Sequence, residues 1–157
     1  MPAALSIGID FLRKLGVKPE QRLGLVRAPA DWVRTLRQTH ATLRPSGAAQ
    51  DKQAQGGDIA AWASVAKAGR ADVILAWLAP KDDLRKTFDA LETKIPSDGA
   101  IWAVIVKRGA LAKGEVAVNW LEMQAAGLAS GRLVDNKELR FDDRYYGTRF
   151  VVRRERR

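Results

Sequence analysis

The sequence predicts an α/β fold: a doubly wound, Rossmann-like and mostly parallel sheet that finishes with an antiparallel C-terminal strand. Three observations predict it. ADVILAWLA, beginning at Ala71, is apolar and rich in β-branched residues, as a strand covered on both faces should be. The segment after it has helical spacing, and IPSDGAIWAVIVKR, ending at Arg108, returns as a second buried strand. Strand and helix patterns then alternate along the chain, and alternation of that kind is the signature of helices packed on both faces of one sheet through right-handed crossovers.

The elements follow in order. Leu5, Ile9, Leu12 and Leu15 recur at helical spacing, so a short amphipathic helix spans about residues 4–16, with Gly16 as its stop and Pro19 blocking continuation. Gln21 to Arg27 alternate around Leu23, Leu25 and Val26 as a first strand. Ala28-Pro29-Ala30 ends that strand before Asp31, the expected cap of a helix in which Trp32, Val33, Leu36, His40 and Leu43 share a face. Pro45 and Gly47 close the helix. PSGAAQDKQAQGG, residues 45–57, is polar and aperiodic, and suits either a short edge strand or an ordered loop.

Asp58 reads as the cap of a second helix carrying Ile59, Trp62 and Val65 or Ala66 on one face, with Gly69 as its stop. Asp72 to Leu78 is the next buried strand. Lys81, Asp82 and Asp83 open a helix whose apolar residues Leu84, Phe88, Leu91 and Ile95 lie four, three and four apart. Ser97-Asp98-Gly99 turns into the strand Ala100 to Val106. A helix follows around Val116 to Ala126, with its exit at Gly127 or Gly131. Leu133 to Phe141 and Arg149 to Arg153 are extended and joined through Asp142-Asp143-Arg144 and Tyr146-Gly147, a pattern that suits an antiparallel hairpin.

A length of 157 residues suits one domain with one core. The absence of cysteine excludes disulfides, thiolate nucleophiles and Cys-ligated metal, and suits a reducing cytoplasm. Gly8, Asp10, Arg13 and Lys14 interrupt the apolar positions of the opening segment, so it does not read as a signal peptide. No apolar run approaches the roughly 18 residues of a membrane span, and no membrane association is expected. The formal charge is +9, with the excess at the two ends of the chain. Arg153, Arg154, Arg156 and Arg157 form its densest cluster, a candidate contact for an anionic partner, although the aromatics of a single-strand platform are not interleaved with it.

Residue by residue, the chemistry is sparse. His40 is the sole histidine and sits on an apolar stripe, so it reads as a packing residue, and no metal site is predicted. Asp82-Asp83 and Asp142-Asp143 are neighbouring acids for which cap and turn roles suffice. Gly56-Gly57 lacks the lysine of a phosphate loop. The tryptophans Trp32, Trp62, Trp77, Trp102 and Trp120 read as packing residues. No catalytic residue is assigned. Lys107-Arg108 ends a strand at its carboxyl edge, where crevices of open α/β sheets form, and an anionic ligand there would meet Lys107, Arg108 and Lys81.

SDGAIWAVIVKR and GRLVDNKELRFDDRYYGTRFVVRR, with LGVKPEQRLGLVRAP before them, resemble the bacterial family called domain of unknown function 3052. That family shows a similar Gly-x-x-Trp strand ending in a basic pair and a Leu-Val-Asp-x-Lys strand. The resemblance covers roughly residues 12 to 154, departs over residues 45–70, where this chain reads as longer and more helical, and implies no activity.

A looser resemblance, resting on element order, is to class I methyltransferases, whose parallel sheet also closes with an antiparallel last strand. It implies a methyltransferase-like fold and adenosylmethionine as a cofactor. In that family the first strand ends in a glycine-rich turn. Here the turn is Arg27-Ala28-Pro29-Ala30-Asp31, in which Pro29 lacks an N–H donor. Ala79-Pro80-Lys81-Asp82 falls where such enzymes place a substrate-contacting loop. The candidate crevice is thus Pro29, Asp31, Lys81, Asp82, Lys107 and Arg108.

These residues lead to the expectation of a single-domain, non-catalytic binding or regulatory protein with no cofactor, its partner an unidentified protein or an anionic ligand. The alternative is a methyltransferase-like domain that binds an adenosyl cofactor in a degenerate site. A nucleic-acid accessory role comes third, and predicts salt-sensitive binding that depends on Arg153 to Arg157.

Overall fold

The computed structural model describes residues 8–42 and 58–156. Helix α1 (Ile9–Leu15) buries Leu12 and Leu15 and stops at Gly16, whose φ of 81° is the left-handed conformation that a helix end needs and glycine adopts without strain. Strand β1 (Leu23–Val26) leads into helix α2 (Ala30–Ala41), which buries Trp32, Leu36 and His40. Strands β2 (Ile59–Trp62), β3 (Val73–Trp77) and β4 (Ala100–Val106) follow, with helix α3 (Leu84–Glu92) between the last two. Helix α4 (Trp120–Leu128) precedes the strands β5 (Leu133–Arg140) and β6 (Tyr145–Val152).

The six strands form one sheet in the order β2-β1-β3-β4-β6-β5. The first four are parallel, and β6 inserts antiparallel between β4 and β5. The predicted mostly parallel sheet with an antiparallel last strand is therefore observed. Alternation along β4 divides the core in two. Ile101, Ala103 and Ile105 join Phe88, Leu91 and Met123 beneath α3 and α4, while Trp102 and Val104 join Leu12, Trp32 and Leu36 beneath α1 and α2. Trp102 is fully buried, and its indole N–H donates to the carbonyl of Leu15 at 2.9 Å, tying the end of α1 to the middle of the sheet.

Several elements differ from expectation. Residues 58–69 are not a helix: Ile59–Trp62 pairs with Leu23–Val26 in parallel register, and only a single 3-10 turn, Val65–Lys67, follows. The reason lies on the partner strand, where Gly24 leaves room for the Trp62 ring; a Cβ at Gly24 would stand 2.4 Å from it. Trp62 thus belongs to a sheet face instead of a helix stripe. Helix α2 starts one residue before Asp31, with Pro29 at its cap position, so Asp31 lies in the first turn. Helix α3 ends at Glu92, three residues before Ile95, and α4 starts at Trp120, where the Asn119 side chain accepts the N–H of Glu122 at 3.0 Å. Tyr146-Gly147 lies inside β6, so the hairpin turn is Asp142 to Arg144 alone. Residues 43–57, with the edge strand or loop expected there and the Gly56-Gly57 pair, lie outside the described residues, as do Leu5 and Arg157. Among the described residues no helix is long and apolar enough to cross a membrane.

Candidate functional site

The strand order sets a topological switch point. The chain leaves β1 for β2 on one side and returns to β3 on the other, so the carboxyl ends of β1 and β3 diverge. Ligands of open α/β sheets bind at such a point. Here β1 ends at Val26, and Arg27 follows with a φ of 56°, the one non-glycine residue with positive φ among the described residues. A side chain in that conformation costs roughly 1–2 kcal/mol, so the surrounding structure must hold it there.

Asp82 holds it from the end of β3. The Arg27 guanidinium donates twice to the Asp82 carboxylate, once at 3.0 Å and once through a closer contact between Nη2 and Oδ2. Asp82 also accepts the N–H of Ala79 at 2.7 Å. The two side chains are 28% and 14% exposed, so water screens the pair poorly. Burial pushes the Asp82 carboxyl up, but the hydrogen bonds from Arg27 and Ala79 and the charges of Arg27 and Lys81 outweigh it and hold the group below its ordinary range. Asp82 is therefore not the helix cap the sequence suggested. Asp83 is, its side chain accepting the N–H of Lys86 at 3.1 Å.

Two N–H donors at this point lack acceptors. Arg27 Nε and Trp77 Nε1 are buried without a hydrogen-bond partner among the described residues, and Trp77 is the last residue of β3. Buried donors are nearly always paired, so two unpaired ones at the divergence of β1 and β3 mark a place where an acceptor belongs. Trp77 packs against Trp32 and Tyr145 at ring centroid distances of 5.9 and 6.2 Å, so its indole is fixed in position.

A second network lies beside the first. Arg144 clamps Glu115 at 3.1 and 2.6 Å, and that contact, with the Ala112 N–H, holds the Glu115 carboxyl below its ordinary range. Asp142 accepts the N–H groups of Arg144 and Tyr145, each at 2.7 Å, and the Trp32 indole N–H at 3.2 Å. The turn role expected of Asp142 thus extends to anchoring α2 against the hairpin.

All six crevice residues named from the sequence fall on this carboxyl edge, but they do not converge. Pro29 caps α2 without a side-chain bond, and Asp31 is exposed and bonds the N–H of Trp32 beside it at 3.0 Å. Lys81 and Asp82 stand at the end of β3, and the Lys107 N–H is committed to the Arg144 carbonyl at 2.8 Å. Arg108 lies apart, lining a cavity of about 150 Å³ with Tyr146 and Trp120. Burial, with the charge of Glu138, raises the Tyr146 hydroxyl above its ordinary range against the pull of Arg108, so Tyr146 stays protonated at neutral pH. Arg153, Arg154 and Arg156 lie at the opposite edge, where β6 ends.

Sequence reading missed Arg27. Its signal was a basic residue at the end of a buried strand, matched by an acid at the end of the neighbouring one. The unpaired indole of Trp77 left no such signal.

No family model and no curated protein matches this chain, so the resemblance to the family of unknown function gains no support. Solved structures do match. The chain is similar to a methyltransferase of Aquifex aeolicus described as SAM-dependent, at a TM-score of 0.58 and 12% identity over 91% of this chain and 88% of that one. The N-methyltransferase NodS from Bradyrhizobium japonicum matches at 0.52 and 14% over 90% and 92%. The ribosomal protein L11 methylase from Lactobacillus delbrueckii subsp. bulgaricus matches at 0.53 and 17% over 90% and 74%. NodS is also known in complex with S-adenosyl-L-homocysteine. At these identities the likeness shows the fold: a Rossmann-like sheet shared with S-adenosylmethionine-dependent methyltransferases. It also corrects the expectation of a non-catalytic binding or regulatory domain without a cofactor, because the neighbours favour the methyltransferase-like alternative.

Proposed function

We propose that this chain is a methyltransferase-like domain that binds an adenosyl ligand at the divergence of β1 and β3, through a site built on charged side chains in place of a glycine-rich turn. The observation that carries the reading is the pair of buried, unpartnered donors, Arg27 Nε and Trp77 Nε1, beside the Arg27–Asp82 ion pair.

The residues present suit the polar groups of adenosylmethionine. A guanidinium matches the carboxylate of its methionine part. A carboxylate held ionised, as Asp82 is, matches its ammonium and its ribose hydroxyls. When bound, the cofactor supplies a methyl group on a sulfonium. Arg27 orients the carboxylate, Asp82 retains its negative charge near the cationic groups, and Trp77 offers an indole N–H from a packed, nearly water-free position. Ala28 and Pro29 keep the ligand off the β1 backbone, so binding rests on these side chains.

A thermal-shift titration with adenosylmethionine and adenosylhomocysteine tests the reading. Saturable stabilisation is expected, of about 2.7 kcal/mol at a hundred times the Kd. Arg27→Ala should weaken binding at least tenfold while the protein still folds. Absence of any shift at millimolar concentrations of either compound overturns the proposal.

A further inference from the structure

The opposite edge of the sheet carries a separate charge pattern, from which we infer that the amino edge is a docking surface for the phosphate backbone of a nucleic acid. Arg22 precedes β1, Arg70 precedes β3, Arg132 precedes β5, and Arg154 and Arg156 follow β6, while α3 delivers Lys94 to the same edge. Arg22, Arg70 and Lys94 line a cavity of about 350 Å³, with Asp72 as the one acid among its lining residues.

The cations are joined through the backbone. The Arg22 carbonyl accepts the N–H of Asp72 at 2.9 Å, and the Lys94 carbonyl accepts that of Ala71 at 3.0 Å. Arg132 reaches from β5 to the Glu92 carbonyl at 3.3 Å, and the Arg153 N–H donates to the Arg132 carbonyl at 2.8 Å. Four acids of this edge are already engaged, while Asp98, in the turn before β4, stands exposed between the cations. Asp72 accepts the Arg22 N–H at 2.7 Å, Asp58 pairs with the Arg22 guanidinium at 3.3 Å, buried Glu92 accepts the Ser130 hydroxyl at 2.8 Å, and Glu155 stands 3.9 Å from Arg153. Arg70, Lys94, Arg132, Arg154 and Arg156 have no carboxylate within 4.0 Å among the described residues.

The length of the row decides the partner. From β3 to β5, the strands these five cations flank, the sheet order spans three strand spacings, about 14 Å at about 4.8 Å each. A single phosphate fills only part of such a row, whereas a nucleic-acid strand repeats its charge about every 3.4 Å of axis and meets it along the whole length. Sequence-independent backbone contact is expected, since the five cations carry no stacking platform between them. This surface lies on the edge away from the adenosyl site and does not depend on that reading.

Fluorescence anisotropy of a labelled 20-base-pair DNA duplex with the full chain tests it. Five contacts give a slope near −4.5 in log K against log salt, so affinity should fall about 500-fold between 50 and 200 mM salt. In Arg70→Glu/Lys94→Glu the loss over the same range should shrink to about 40-fold, as for three contacts, and affinity at 50 mM should drop at least tenfold. Should that variant fail to fold, Arg154→Glu/Arg156→Glu carries the same expectation. Lys113→Glu, on the other edge, should stay within about twofold of the parent. Failure to bind the duplex at 50 mM salt, unchanged binding by both charge reversals, or full competition by about 5 mM inorganic phosphate at constant ionic strength would overturn the inference.

Discussion

Replacing Asp82 by alanine removes the acceptor of three hydrogen bonds at once, two from Arg27 and one from the Ala79 N–H. The Arg27 guanidinium, 28% exposed, then stands without a counter-charge, while Arg27 still bears its left-handed backbone. Breaking a fully buried pair costs about 3–5 kcal/mol, and partial exposure here lowers that to about 2–3 kcal/mol. At 2–4 °C per kcal/mol for a chain of this size, the melting temperature should fall by about 4–12 °C in differential scanning calorimetry. The pH dependence has a definite sign. The folded-state pKa of Asp82 lies below its ordinary 3.8, so its stabilisation is complete above that value and is lost as pH falls through the folded-state pKa. The gap between parent and Asp82→Ala should therefore be level from neutral pH down to about pH 5 and narrow below it. A loss under about 1 kcal/mol, or a gap that widens on acidification, would refute the argument that the pair clamps the divergence of β1 and β3.

The other predictions concern the framework that presents this edge. Trp102→Phe should cost about 1–3 kcal/mol in urea denaturation, because the Leu15 carbonyl loses its buried donor, and a neutral result would mean that α1 is not held by this bond. Gly24→Ala sets a methyl 2.4 Å from the Trp62 ring and should destabilise by about 1–3 kcal/mol, whereas the pair Gly24→Ala/Trp62→Leu should recover most of that loss.

What the sequence reveals, and what it hides, follows one physical distinction. Strand β4 was readable to the residue because Ala100 to Val106 are apolar on both faces, and the helix cap at Asp83 lay within the acidic opening read before Leu84. β2 was misread because IAAW is short and its identity as a strand depends on Gly24, 38 positions from Trp62, leaving space on the neighbouring strand. The site divides in the same way. Topology brought Pro29, Lys81 and Asp82 to the edge where a parallel sheet places ligands, as periodicity implied. The contact that organises the edge, Arg27 with Asp82, joins residues 55 positions apart, and neither side chain signals it alone. A bonded pair of charges and a cap with a free acid look identical in one dimension.

The first turn is where fold and sequence conflict, and the strained residue there suggests how the conflict resolves. A glycine after Val26 would adopt a φ of 56° without cost and would open the backbone to a ligand, as a glycine-rich turn does. Arginine pays a conformational penalty of roughly 1–2 kcal/mol at that position, which the bidentate contact with Asp82 offsets. Arg27 holds the left-handed conformation without being glycine, because the ion pair with Asp82 sustains it. Substituting Arg27 by glycine therefore sets backbone relief against the loss of the pair. Loss of the pair, about 2–3 kcal/mol, exceeds the backbone relief of about 1–2 kcal/mol, so stability should fall by only about 1 kcal/mol, less than in Asp82→Ala, while ligand binding is lost.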